Sequence, residues 1–177
     1  GTENDRLPAF VSISPPSGHG GPRNYGTAFL PASYQATTIG RSGNLGNAKI
    51  ENMRASAENA DGQRRQLDLL QAINRDHKER AVADPGIEGA IESFELAFRM
   101  QQAAPEVLDL NLEPKDIQEM YGVGNNATDN FARQCILARR MAEAGVRYIQ
   151  VSTGNVWDQH GGLFDGHTKN CLAVDQP

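Results

Sequence analysis

The sequence predicts an α/β fold, and three observations support this. Two short stretches, residues 7–14 and 146–152, are apolar and rich in β-branched residues, which is typical of strands. The region between them, 61–145, repeats its apolar residues at the three- and four-residue spacing of helices. Gly145 joins the last of these helices directly to the second strand, as in the αβ half of a βαβ unit.

The first strand, Leu7–Ser14, is followed by a long region without a regular period. A run rich in proline and glycine, residues 15–22, ends regular structure after the strand. From there to about Ala60 the chain is rich in Gly, Asn and Ser, so we interpret residues 15–60 as a long loop excursion. Such excursions inside a compact domain are uncommon and often functional, although a surface cover without chemistry is an equal alternative.

Two amphipathic helices are predicted next. The first covers Asp61–Arg80, and its apolar spacing uses Leu67, Leu70, Ile73 and His77. The second is opened by Asp84 as the N-cap and Pro85 at the first helical position, and it ends near Gln102. Its predicted apolar face comprises Ile87, Ile91, Phe94 and Phe98, widened by Leu96 and Met100.

Two further helices precede the second strand. A short one begins at Glu113-Pro114 and stops at Tyr121-Gly122, and a longer one runs from about Thr128 to Ala144. The apolar stripe predicted for the longer helix is Phe131, Cys135, Ala138, Met141 and Ala142. Gly145 occupies the position where a residue in the left-handed conformation ends a helix.

The predicted elements indicate an incomplete domain. Two strands, Leu7–Ser14 and Val146–Ser152, are too few to form a sheet that covers four amphipathic helices. A last helix is only beginning after Asp165 when the sequence ends. We therefore expect residues 1–177 to be one piece of an α/β domain, with 15–60 as loop, 61–145 helical, and 146–177 as a strand followed by a candidate site loop.

Composition excludes several classes of function. The net charge is −5 and no basic stripe is present, which argues against nucleic acid as a partner. No run of about 18 apolar residues exists, so we expect no membrane span. The first residues lack the pattern of a signal peptide, and the two cysteines do not form a disulfide framework.

The strongest candidate site follows the second strand. Asp158 and His160 lie in the loop just beyond Ser152, and Asp165 and His167 come within ten residues of Asp158. Loops at the carboxyl ends of parallel strands commonly bind ligands, and carboxylate and imidazole groups bind Zn, Mn or Fe. We expect the Asp158 and His160 side chains to converge on a cleft. The alternative is an Asp that caps a turn beside a His that bonds to the backbone.

Other candidates have structural interpretations of equal or greater weight. We interpret Trp157 as a packing anchor for the loop, Cys135 and His77 as core residues, and His19 as a solvent-exposed side chain. His167 is a third possible metal ligand or simply part of the first turn of a helix. A nucleophilic Cys171 with His167 as its base, four residues earlier, is the rival enzymatic hypothesis.

Several ordered blocks resemble a bacterial family called domain of unknown function 1501, often labelled sulfatase-like. The blocks span nearly the whole chain; they are residues 1–4, 7–11, 28–31 with 34–35, 93–101, 131–135 and 157–160. The resemblance implies a three-layer α/β/α fold of the alkaline-phosphatase-like superfamily, of which this chain is the middle portion. It also implies an extracytoplasmic location, and it places the nucleophile upstream of Gly1.

The resemblance also implies chemistry. Superfamily members use a metal centre of Asp and His residues to activate a nucleophile against a phosphoryl or sulfuryl group. Asp158 and His160 match a family block that fits such a centre, whereas His167 and Asp175 match weaker positions. The expected cofactor is a divalent metal (Zn, Mn, Ca or Mg).

Two functions of different classes follow for the intact protein. One is a metal-dependent hydrolase of small-molecule or glycan sulfate or phosphate esters, with this chain alone inactive. The other is a non-catalytic binding or structural relative of the same fold. Apolar helix faces left uncovered in the incomplete domain, carrying Phe94, Phe98, Phe131 and Met141, predict self-association of the chain.

Overall fold

A computed structural model of the chain describes residues 6–18, 20–30, 34–45, 60–80 and 85–177. Three strands are present in these ranges: β1 (Phe10–Ile13), β2 (Thr37–Ile39) and β3 (Tyr148–Val151). The α-helices are α1 (Ala60–Arg80), α2 (Pro85–Leu108), α3 (Lys115–Met120), α4 (Asp129–Glu143) and α5 (Leu163–Val174). Short 3-10 helices cover Gly21–Asn24 and Leu110–Leu112. The predicted mixed α/β class is confirmed.

The strands form one parallel sheet in the order β2-β1-β3. β1 lies in the centre, where Val11 pairs with Thr37 on one side and with Ile149 on the other. Because neighbours cover both edges and both faces of this strand, Val11, Ser12 and Ile13 are fully buried. The core extends from here to residues of α2 and α4, including Met100, Ala104, Leu137 and Met141.

The junction between α4 and β3 has the predicted form. Gly145 has φ +93° and its N–H donates to the Ala142 carbonyl, while the Val146 N–H donates to the Met141 carbonyl. These two bonds define a Schellman motif, and the buried side chains of Met141 and Val146 supply its apolar contact. The helix therefore ends where the sequence predicted, but the strand predicted from Val146 begins two residues later, at Tyr148.

Strand β2 was missed by the sequence analysis. It lies within residues 15–60, which were predicted to be a long loop, and it consists of Thr37, Thr38 and Ile39. Three residues are too few to show an alternating pattern, and pairing with β1 is what fixes their extended conformation. The rest of that region consists of turns and a short 3-10 helix in the ranges that the structure describes, 15–18, 20–30 and 34–45.

Helix α2 differs from the prediction in its length and in its buried face. It continues beyond Gln102 to Leu108 and contains Pro105. Ala104 is fully buried, and Val107 and Leu108 pack against the core, so tertiary packing compensates for the hydrogen bond that Pro105 cannot donate. The core-facing residues are Leu96, Met100 and Ala104, whereas Phe94 of the predicted face is exposed.

Helices α1 and α4 also turn different faces inward. On α1 Leu67 is buried, but Leu70 and Ile73 are exposed. On α4 the fully buried residues are Ala132, Gln134, Ile136, Leu137 and Met141, so the predicted stripe captured one of them, Met141. Ala142, predicted to be apolar core, is exposed. Met141 belongs to the core, so it is not part of the uncovered apolar face that was predicted to cause self-association. Self-association of the chain stays a prediction.

A buried ionic cluster fixes α4 to the end of α2. The Glu113 cluster consists of Glu113, Arg139 and Arg140: one carboxylate oxygen of Glu113 bonds to Arg139, and the other lies 2.6 Å from Arg140 Nη1. Arg140 also donates to the carbonyls of Val107 and Glu106, at 2.8 and 2.6 Å. Burial opposes ionisation of Glu113, but the hydrogen bonds from the two arginines overcome it, and the pKa of Glu113 lies below its ordinary value.

Helix α5 is complete within the chain. It was predicted as a helix that is only beginning after Asp165, but it starts at Leu163 and ends at Val174. Gly162 precedes it with φ +61°. Across the described ranges, no helix is long and apolar enough to cross a membrane.

Candidate metal-binding loop

The candidate site lies at the carboxyl edge of the sheet. Because the three strands are parallel, the segments that follow Ile13, Ile39 and Val151 leave the sheet at the same edge. We call residues 152–162, which connect β3 to α5, the site loop. The placement of Asp158 and His160 in a loop beyond the end of β3 agrees with the sequence analysis.

Asp158 and His160 point toward each other. His160 Nε2 lies 3.2 Å from Asp158 Oδ2, so the expected convergence of the two side chains is observed. Neither side chain packs into the core: they are 89% and 64% exposed for His160 and Asp158, respectively. The pair therefore lies on the open surface of the loop and not in the cleft that we expected.

Trp157 fixes the loop beside this pair. Its indole N–H donates to Thr153 Oγ1 at 3.0 Å, and its ring meets the His167 ring edge to face, with centroids 5.9 Å apart. Asn170 of α5 donates to the Val156 carbonyl, which ties the loop to the helix. These contacts agree with the interpretation of Trp157 as an anchor, although the residue stays 40% exposed.

His167 takes a different position from the pair. It lies on α5 with Nδ1 3.2 Å from the Leu163 carbonyl, in addition to its contact with Trp157. Asp165 lies in the first turn of the same helix and Asp175 at its C-cap. In the part of the chain that the structure describes, no group of three or more His, Cys, Asp or Glu side chains is arranged to hold a metal ion. The structure therefore brings Asp158 and His160 together but does not add His167 to them.

The two candidate cysteines lie in different environments. Cys171 is exposed and lines an open groove on α5 together with Leu163, Phe164, His167, Thr168, Leu172 and Asp175. Cys135 is half-buried, and burial raises the pKa of its thiol, as expected for a structural cysteine. His19 and the side chain of His77 lie outside the described residues.

The donor atoms of the pair are compatible with a shared metal ion. Two ligands that each lie about 2.1 Å from one Zn ion are separated by roughly 3.0–3.4 Å, and the Nε2–Oδ2 distance of 3.2 Å falls in this interval. Imidazole nitrogen and carboxylate oxygen are also the donors that Zn and Mn accept. Two protein ligands are fewer than a catalytic zinc site uses, so the pair would be part of a larger ligand set.

A second loop lies against the site loop, with Gly43 close to the backbone of Thr153 and Gly154. The sequence did not predict this contact. We call residues 40–45, which follow β2, the support turn. Gly43 of this turn accepts two hydrogen bonds at its carbonyl, from Asn130 Nδ2 at 2.7 Å and Gln134 Nε2 at 3.2 Å. The available signal was the pair of glycines, Gly40 and Gly43, which indicates a turn but not what the turn contacts.

A known protein family matches this chain. The model of one family, described as protein of unknown function (DUF1501), matches residues 1–177, which is the whole chain. No curated protein and no solved structure matches it.

Proposed function

We propose that this chain, which belongs to the DUF1501 family, is part of a metal-dependent hydrolase of sulfate or phosphate esters. The observation that carries the proposal is the Asp158–His160 pair, which presents an imidazole nitrogen and a carboxylate oxygen 3.2 Å apart at the carboxyl edge of a parallel sheet. Its exposure leaves both donor atoms accessible to an ion and to a substrate.

In this proposal Asp158 and His160 supply two ligands of a divalent metal site. A divalent ion bound there would polarise the ester and stabilise charge on the attacking and leaving oxygens. The hydrogen bond between Trp157 and Thr153 fixes the loop segment that carries the two ligands. The remaining ligands and the nucleophile belong to segments outside residues 1–177, and the substrate is a small-molecule or glycan ester.

The proposal extends to the architecture and location of the intact protein. The parallel sheet with α4 packed against β3 is compatible with a layer of a three-layer α/β/α domain of the alkaline-phosphatase-like kind. An extracytoplasmic location is part of the same proposal, because it comes from the same family resemblance.

One measurement tests the function directly. The intact protein should hydrolyse aryl sulfates or aryl phosphates in the presence of Zn or Mn, and chelation should abolish the activity. Asp158→Asn and His160→Gln should each lower kcat/KM by at least about 100-fold, as expected for the loss of a metal ligand. Asp116→Asn, an exposed carboxylate on α3, is the matched control and should leave the activity unchanged. Full activity in both ligand variants would contradict the proposal.

A non-catalytic binding or structural protein is the second candidate. The observation that favours it is the small ligand set, since residues 6–18, 20–30, 34–45, 60–80 and 85–177 contain no group of three metal-binding side chains. Metal binding by the intact protein separates the two functions. Tight, stoichiometric Zn or Mn binding that depends on Asp158 and His160 supports the hydrolase, and the lack of such binding supports the alternative.

A further inference from the structure

We infer that the support turn, residues 40–45, positions the site loop, and that Asn130 and Gln134 of α4 hold the turn in place. This assigns a positioning role to residues far from Asp158 and His160 in the sequence. The coupling between the two loops is a property of the fold. The expected effect of this coupling on metal or substrate binding rests on the proposed function.

The support turn is fixed to α4 by side-chain hydrogen bonds. Asn130 uses both ends of its amide: Nδ2 donates to the Gly43 carbonyl, and Oδ1 accepts from the Leu45 N–H at 3.2 Å. Gln134 lies one helical turn later on α4 and donates to the same Gly43 carbonyl. Leu45 is buried in the core, which anchors the end of the turn. The Gly43 carbonyl is therefore held by α4, while the N–H groups of Ser42 and Gly43 donate to the carbonyls of Pro15 and Ser14.

The support turn meets the site loop backbone to backbone. Gly43 has φ +74°, and a Cβ atom built on it would lie 2.5 Å from the Thr153 carbonyl oxygen and 2.9 Å from the Gly154 nitrogen. From the other side, a Cβ atom on Gly154 would lie 3.4 Å from the Ser42 carbonyl oxygen. Real side chains do not tolerate the closer of these distances, so Gly43 is required for the two loops to approach this closely.

The contact is transmitted to the candidate ligands through Thr153. Its Oγ1 accepts the hydrogen bond from the Trp157 indole, and Asp158 is the next residue after Trp157. A shift of the Thr153 backbone would therefore move the anchor of the segment that carries Asp158 and His160. The side chains of both residues are themselves mostly exposed.

Gln134 gives independent support for a specific role. It is fully buried, and its Oε1 accepts no hydrogen bond from the described residues. Leaving a buried acceptor unpaired destabilises the fold, so an apolar side chain of similar size would be expected here if packing alone mattered. The amide at this position gains the bond to Gly43, which is the contact that the inference requires.

The single tryptophan of the chain makes the inference testable without any metal. Because Trp157 lies on the site loop, its fluorescence reports on the position of that loop. In the 177-residue chain, Asn130→Ala and Gly43→Ala should each increase acrylamide quenching of Trp157 by about 1.5-fold or more. Asn125→Ala is the matched control: it removes a side-chain bond to the Ala127 N–H just before α4, does not touch the support turn, and should leave the quenching unchanged.

Far-UV circular dichroism establishes that each variant is folded before the comparison is made. Should Gly43→Ala not fold, Asn130→Ala decides the question, because Asn130 is an exposed residue. Asn130→Asp keeps the acceptor for the Leu45 N–H but places a carboxylate oxygen against the Gly43 carbonyl, so it should increase the quenching at least as much as Asn130→Ala does. Quenching in folded Asn130→Ala equal to that in wild type and Asn125→Ala would overturn the inference.

The same variants separate this inference from the proposed function. In the intact protein, Asn130→Ala should weaken Zn binding by about 10-fold, and Asn125→Ala should not. If wild-type protein binds no Zn, the proposed function fails, but the fluorescence result still decides whether the support turn positions the loop.

Discussion

Two acid–base contacts in this chain show how burial separates a structural role from a candidate functional one. In the Glu113 cluster, a nearly fully buried carboxylate bonds to Arg139 and Arg140, and Arg140 also satisfies two carbonyls of α2. In the site loop, Asp158 and His160 form an isolated pair that is mostly exposed. The first arrangement bonds both carboxylate oxygens of Glu113 within the protein, whereas the second leaves its donor and acceptor atoms accessible to a ligand.

The largest expected effect on stability is at the Glu113 cluster. Glu113→Ala should lower the free energy of unfolding by about 2–4 kcal/mol, because it leaves two arginines, one of them well buried, without their carboxylate. Chemical denaturation followed by circular dichroism measures this change. A loss below about 0.5 kcal/mol would show that the cluster does not hold α4 to α2.

Acid should weaken the same cluster. The pKa of Glu113 is lower in the folded chain than in the unfolded chain, so its contribution is fully present above the unfolded-state pKa. The contribution is lost as the pH falls below the unfolded-state pKa and through the lower folded-state pKa. The difference in stability between wild type and Glu113→Gln should therefore narrow as the pH is lowered from 6 to 3. A constant difference over that range would argue against ionic stabilisation by Glu113.

The smallest expected effect on stability is at the candidate ligands. Asp158→Asn should change the melting temperature by no more than about 2 °C, because an exposed pair contributes little to folding. A large loss of stability would mean that Asp158 is a structural residue, and the contrast with Glu113 would disappear. Thermal unfolding of the two variants in one buffer makes this comparison.

Metal binding should also distinguish the site loop from the Glu113 cluster. Calorimetry with Zn and Mn should detect weak or no binding to the 177-residue chain, since two ligands seldom hold these ions tightly. Sub-micromolar affinity would show that further ligands lie within this chain, contrary to the proposal that they lie outside it. Glu113→Gln is the control, because its carboxylate already bonds to two arginines and should contribute nothing to binding.

The amino-acid sequence alone determined the elements whose signals are local. The end of α4 at Gly145 and the proximity of Asp158 to His160 each depend on a few adjacent residues. Helix periodicity also located α1, α2 and α4, but it identified their buried faces only in part, since Leu67, Met100 and Met141 are buried as predicted. Phe94, Leu70 and Ala142 are exposed because the packing partners of a helix select which of its apolar residues are covered.

Only the tertiary structure decided the contacts between distant segments. Strand β2 exists because three residues pair with β1, and the support turn is held by Gln134, 91 residues from Gly43. Neither the support turn nor α4 has a sequence pattern that identifies the other as its partner, because a Gly-rich turn and an amide side chain on a helix occur in many environments. Whether Asp158 and His160 lie in a cleft or on the surface depended in the same way on how the site loop packs against the support turn and α5. Local sequence signals favour particular elements, whereas long-range packing decides how far α2 extends, whether β2 forms and what each side chain contacts.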